Sequence, residues 1–134
     1  MSGNKKDTKT LYHHTTREGA AQILKSGYIK QSTDTKNDAA YGVGTYFTSH
    51  GPDKSQRDIA RNNYDGYRNQ HADQMLKSGK TDAIIAVDLP TKDVTKAPSD
   101  RDIYVSKGDT TIADKNPRVY VRDKDGKAVQ YKQK

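Results

Sequence analysis

Leu11-Tyr12-His13-His14-Thr15-Thr16 sets two of the chain's four histidines side by side at the entrance to a helix. On an extended strand, neighbouring side chains leave on opposite faces, so the two rings cannot share a task. One faces inward and the other faces away. The stretch predicts a short strand over 10–14. Thr15 follows as N-cap, with Glu18 reaching back to complete a capping box. Ala20, Ile23 and Leu24 then share one helical face, and Gly27 stops that helix at about Ser26. Tyr28-Ile29 reads as extended.

Working outward, residues 31–40 are polar and without periodicity, which predicts a surface loop. Tyr41-Gly42-Val43-Gly44-Thr45-Tyr46-Phe47-Thr48 reads as a glycine-punctuated turn entering a strand. Pro52 suits the first turn of a helix over 53–62. A further helix is expected over 68–77, closed by Gly79. Asp82-Ala-Ile-Ile-Ala-Val-Asp-Leu89 is the most apolar run and predicts the central buried strand. Residues 102–106 are a second strand candidate. Residues 118–123 and 127–131 form a closing hairpin around Asp125-Gly126. Residues 1–9 read as a disordered tail and 10–134 as one domain. Early helices backed by several strands place the chain in the α+β class.

Composition narrows the chemistry. The 134 residues are 31% hydrophobic, with one Phe, no Trp and a mean hydropathy of −1.12. So sparse an aliphatic content predicts that the nine tyrosines supply much of the large apolar surface. Lys and Arg outnumber Asp and Glu by 24 to 17, and the net charge of +7 favours an anionic partner. The basic residues are scattered among acids, unlike a dense nucleic-acid arm. The absence of cysteine excludes disulfides, thiol catalysis and Cys-based zinc sites. No apolar run approaches a membrane span, and the start lacks the apolar segment of a signal peptide.

Gly42-Val43-Gly44 resembles the opening of a dinucleotide fingerprint, but the third glycine position holds Phe47 and the segment enters a strand. His13, His14, His50 and His71 lack metal-ligand spacing, so no metal is expected. No serine occupies a nucleophile elbow.

Tyr12-His13 near the first strand, the helix from Ala20 to Gly27, and Gly42-x-Gly44-x-Tyr46-Phe47 occur in that order. Together they resemble the ADP-ribosyltransferase superfamily, in its H-Y-E/D branch related to the poly(ADP-ribose) polymerases. They are most similar to its small toxin-type enzymes. The resemblance covers residues 11–49. It implies a split β-sheet fold with a few short helices, and NAD as substrate. It implies that His13 bonds a ribose hydroxyl and that Tyr46 packs on the nicotinamide ring. The backbone at His14 would hold the carboxamide, with Thr15 and Gly44 also lining the NAD site. His14 departs from the glycine that the polymerases carry there. A structural histidine at 13 and a core tyrosine at 46 are the plain alternatives. The third member is an acid opening a later strand: Asp102 is the first candidate, with Asp100 and Asp88 as alternatives. Arg17 or Lys30 would offset the pyrophosphate charge.

The function implied is mono-ADP-ribosylation of a macromolecule, protein rather than nucleic acid, by a secreted or delivered effector acting in target-cell cytoplasm. An immunity or inhibitor protein would be a second partner. The alternatives are an NAD glycohydrolase and a basic nucleic-acid binding or modifying module.

Overall fold

The apolar run at 83–90 is buried along nearly its whole length. The structure, a computed structural model, describes residues 7–32, 42–63, 75–98 and 102–131. In chain order its strands are β1 (Thr8–Thr15), β2 (Tyr28–Ile29), β3 (Thr45–Phe47), β4 (Ala83–Pro90), β5 (Val94–Lys96), β6 (Tyr104–Ser106), β7 (Thr110–Thr111), β8 (Arg118–Arg122) and β9 (Ala128–Tyr131). Helix α1 spans Arg17–Ser26, α2 spans Gln56–Asn63, and a single 3-10 turn covers Thr91–Asp93. The chain is α+β, mostly sheet with few short helices.

The strands form a four-stranded sheet in the order β1-β4-β8-β9, a three-stranded sheet β3-β6-β5, and the pair β2-β7. All their pairings are antiparallel. β4 is interior to its sheet and needs apolar residues on both faces. Ala83, Ile85, Val87 and Leu89 join Leu11, Phe47, Ile112, Val119 and the α1 residues Ala20 and Ile23 in one cluster. Ile84 and Ala86 alternate to the opposite face and are also fully buried.

Apart from Phe47, that core is aliphatic. The expectation that tyrosines would fill it fails among the described residues. Tyr104 packs against the cluster only partly buried, and Tyr28 and Tyr131 are exposed. A phenol hydroxyl needs a partner when buried, whereas the aliphatic residues of β4 and β1 need none.

Several boundaries differ from the sequence reading, among them the starts of β1, α1 and α2. β1 begins at Thr8, so two residues of the expected tail belong to the sheet, where Thr8 lies opposite Pro90. The N-cap of α1 is Thr16, not Thr15: its hydroxyl accepts the Gly19 amide at 2.9 Å. Thr15 is still strand, paired with Ala83, so the helix starts one residue later and Glu18 lies in its first turn. α2 starts at Gln56, not Asp53, and Pro52 lies in the turn before it. There the Arg122 guanidinium takes the Lys54 carbonyl at 2.9 Å, and the Ser55 hydroxyl accepts the Asp58 amide at 3.1 Å. Carbonyls claimed from outside, with Ser55 as cap, delay the helix. Residues 75–77 are helical and end near Gly79. Residues 68–74 and 33–41, and with them most of the expected third helix and the loop after Ser32, lie outside the described residues.

Candidate functional site

The two sheets meet where β1 passes β3. Tyr12 and Thr48 exchange backbone hydrogen bonds of 2.8 and 2.9 Å as an isolated bridge. Continued antiparallel pairing would set Tyr46 opposite His14. It does not continue. The Tyr46 carbonyl instead accepts from Nδ1–H of the His13 ring at 3.0 Å. A side chain has taken the place of a strand partner, and the strands fork there. Antiparallel geometry turns the His14 amide and carbonyl to the same edge as those of Tyr12, into the fork.

The hydrogen bonds fix both tautomers. His13 must carry its proton on Nδ1, which leaves a lone pair on Nε2. His14 donates from Nε2 to the His50 carbonyl at 2.9 Å, which leaves a bare Nδ1, buried and without a partner among the described residues. Burial pushes the His13 pKa down, against the opposing effect of the Tyr46 carbonyl. Burial also lowers His14, to about 3, with the charges of His13, Arg122 and His50 adding to it and the His50 carbonyl opposing. Both imidazoles are neutral at pH 7. The His13 ring meets Phe47 edge-on at 6.0 Å. Strand alternation sends the Tyr46 ring away from Phe47, and its hydroxyl donates to the Gly42 carbonyl at 2.7 Å. His13 and Tyr46 are therefore joined through the Tyr46 backbone, not ring to ring.

Asp102 precedes β6, and β6 lies beside β3 with Phe47 opposite Tyr104. Its Oδ1 accepts the Ser49 amide at 2.8 Å and the Thr48 hydroxyl at 3.1 Å. Oδ2 accepts the Ser49 hydroxyl and lies 3.5 Å from Nε2 of His50. Asn62 clamps the backbone from α2, accepting the Asp102 amide at 2.7 Å and donating to its carbonyl at 2.8 Å. Burial works to raise this carboxyl. The Ser49 amide and hydroxyl, the Thr48 hydroxyl and nearby His50 overcome it, so the net pKa lies below the ordinary value. The carboxylate is a fixed negative charge, held just past Tyr46 along β3.

Asp88 lies at the far end of β1, where its partner is Thr10. Arg118 first, then Thr10 and Asn116, hold its pKa at about 2. Asp100 and His71 lie outside the described residues. Thr15 continues the strand. Gly44 exchanges both backbone groups with Ser32, and a Cβ there would stand 2.6 Å from the Ser106 carbonyl. Close approach to β6 thus accounts for that glycine, and the positive φ of 109° accounts for Gly42. The Arg17 guanidinium donates to the Arg122 carbonyl at 2.6 Å, and Lys30 is exposed. Among the described residues no group of three His, Cys, Asp or Glu could hold a metal ion, and no helix is long and apolar enough to cross a membrane.

Sequence reasoning missed the clamp on Asp102. Thr48 could have been found, because alternation puts it on the Tyr46 side. Ser49, His50 and Asn62 carry no local signal: Asn62 is forty residues from the acid it holds. No curated protein and no solved structure matches the chain. Residues 11–111 match the Tox-ART-HYD1 family, described as a HYD1 signature containing ADP-ribosyltransferase. That match runs from the first residue of the histidine motif through β1, the fork, Asp102 and β7, and on it the chain belongs to this toxin-type ADP-ribosyltransferase family.

Proposed function

We propose that the protein cleaves NAD at the fork between β1 and β3 and transfers ADP-ribose to a protein acceptor. The observation that carries this is the fork itself: the His13 ring on the Tyr46 carbonyl, with Asp102 clamped beyond it. Family membership supports the reaction class. The parting of the two sheets beyond Tyr12 and Thr48 supports the split-sheet architecture. Because the two rings leave their strands differently, NAD lies across the fork and not on one flat face.

In this reading Nε2 of neutral His13 accepts a ribose hydroxyl, and the His14 backbone edge meets the carboxamide. The Tyr46 ring packs on the nicotinamide. Nicotinamide departs with the electron pair of its bond to ribose, and positive charge grows on the sugar. The Asp102 carboxylate stabilises that charge, because its hydrogen bonds keep it ionised and aimed. The acceptor's nucleophilic atom then bonds the ribose and gives up its proton. Orientation by the clamped loop supplies much of the remaining effect.

Labelled NAD incubated with the protein and a whole-cell extract tests the reading. Label should enter material that protease removes and nuclease spares. Free ADP-ribose produced at full rate without extract would identify a glycohydrolase instead. Salt-sensitive nucleic-acid binding with no use of NAD would overturn both readings.

A further inference from the structure

Leu11 points into the core cluster, so alternation turns Tyr12 and His14 to the opposite face of β1. Both meet the segment that follows β3. The His14 ring donates from Nε2 to the His50 carbonyl at 2.9 Å. The Gly51 backbone lies against the Tyr12 ring, where an added Cβ would stand 2.8 Å from the nearest ring carbon. His14 pairs with Ile84 and Ile84 with Tyr120, so Arg122, two residues further along β8, shares this face. Its guanidinium takes the Pro52 and Lys54 carbonyls at 3.5 and 2.9 Å. Residues 49–54 belong to no strand or helix. They cross the back of the sheet between a ring on β1 and a guanidinium on β8.

Ser49 leads this segment, and its amide and hydroxyl both bond the Asp102 carboxylate. It lies between two fixed points: Thr48, paired with the Tyr12 backbone, and His50, held by the His14 ring. Each residue has two soft backbone dihedrals, so an amide pinned on one side only can swing. Without the ring, the next tie to the sheet is the Pro52 carbonyl, and the Ser49 amide loses its aim. We propose that the His14 ring is a positioning residue for Asp102, acting through the His50 carbonyl and the Ser49 donors. This rests on the reading of Asp102 as the acid that stabilises the ribosyl charge. The two histidines then divide the work: the ring of one faces the substrate and the ring of the other holds the loop that aims the acid.

Nicotinamide release from NAD by the intact chain, with kcat and KM separated, reads this directly. His14→Ala should lower kcat by about tenfold, as loss of one aligning hydrogen bond does, and leave KM near the parental value. His14→Gln, which can still donate to the His50 carbonyl, should restore most of the loss. In an Asp102→Asn background His14→Ala should cost nothing further, because the charge it positions is gone. Thr16→Ala weakens the fold elsewhere and should not change kcat. Carboxyl carbon NMR gives a readout that needs no turnover: Asp102 should titrate at higher pH in His14→Ala than in His14→Gln. Neither variant carries an imidazole charge at 14, so the difference isolates the hydrogen bond. Should His14→Ala not fold, Gly51→Ala presses the same segment off the Tyr12 ring and should shift the Asp102 titration the same way. Equal kcat in the Ala and Gln variants, additive losses with Asp102→Asn, or an Asp102 titration that none of these changes moves would overturn the proposal. A parent chain that released no nicotinamide would sink the functional reading, and the Asp102 titration would still decide this one.

Discussion

Asp102 is held by three hydrogen bonds from Thr48 and Ser49, with the His50 ring 3.5 Å away, and that sets its expected role. Asp102→Asn keeps the shape and removes the charge. The loss belongs to the transition state, where positive charge develops, and not to NAD binding. Nicotinamide release should fall on the order of 10²–10³-fold with NAD affinity nearly unchanged. Asp88→Asn, at the Arg118 pair, should leave turnover near normal. A stable Asp102→Asn protein with near-parental turnover would move the role to another acid. The second histidine makes a different prediction. His14 is neutral and buried, with a folded pKa of about 3 against 6.5. Its stabilisation is complete above 6.5 and is lost as pH falls from 6.5 toward 3, at about 1.4 kcal/mol per unit. His14→Gln can still donate to the His50 carbonyl but cannot titrate. Its melting temperature should fall less steeply between pH 6.5 and 4 than the parent's, and parallel curves would contradict the assignment. The sequence carried His13 and Tyr46 as candidates because each sits in a short motif, and Asp102 only because it opens a strand candidate. What holds Asp102 was illegible, because hydrogen bonds spanning forty or fifty residues leave no spacing to read.

Among the elements, β4 was the most legible, because a strand buried on both faces must be a continuous apolar run. Ile85 lies opposite His13 and is fully buried, so Ile85→Ala should cost about 2–5 kcal/mol in denaturant melts. Helix starts were less legible. Adjacent threonines offer two equivalent caps, and only the length of β1 decides between them. Thr16→Ala should therefore cost about 0.5–2 kcal/mol and Thr15→Ala clearly less. Equal losses would restore the earlier cap. The start of α2 was displaced by Arg122, whose partners Pro52 and Lys54 lie about seventy residues earlier in the chain.

Across the whole molecule, the four-stranded and three-stranded sheets share two backbone hydrogen bonds among the described residues, both between Tyr12 and Thr48. Two such bonds contribute about 1–3 kcal/mol, well below the roughly 5–15 kcal/mol that holds a domain folded. The His13 ring bond to the Tyr46 carbonyl and the packing of Phe47, Val94 and Tyr104 with the core cluster add to this, but no ladder extends it. The sheets can therefore part locally while each keeps its own pairing, a sub-global opening distinct from unfolding. Amide hydrogen exchange would make this visible. The Tyr12 and Thr48 amides should exchange together and well before that of Ile85, and a ligand lying across both strands should slow the pair in concert.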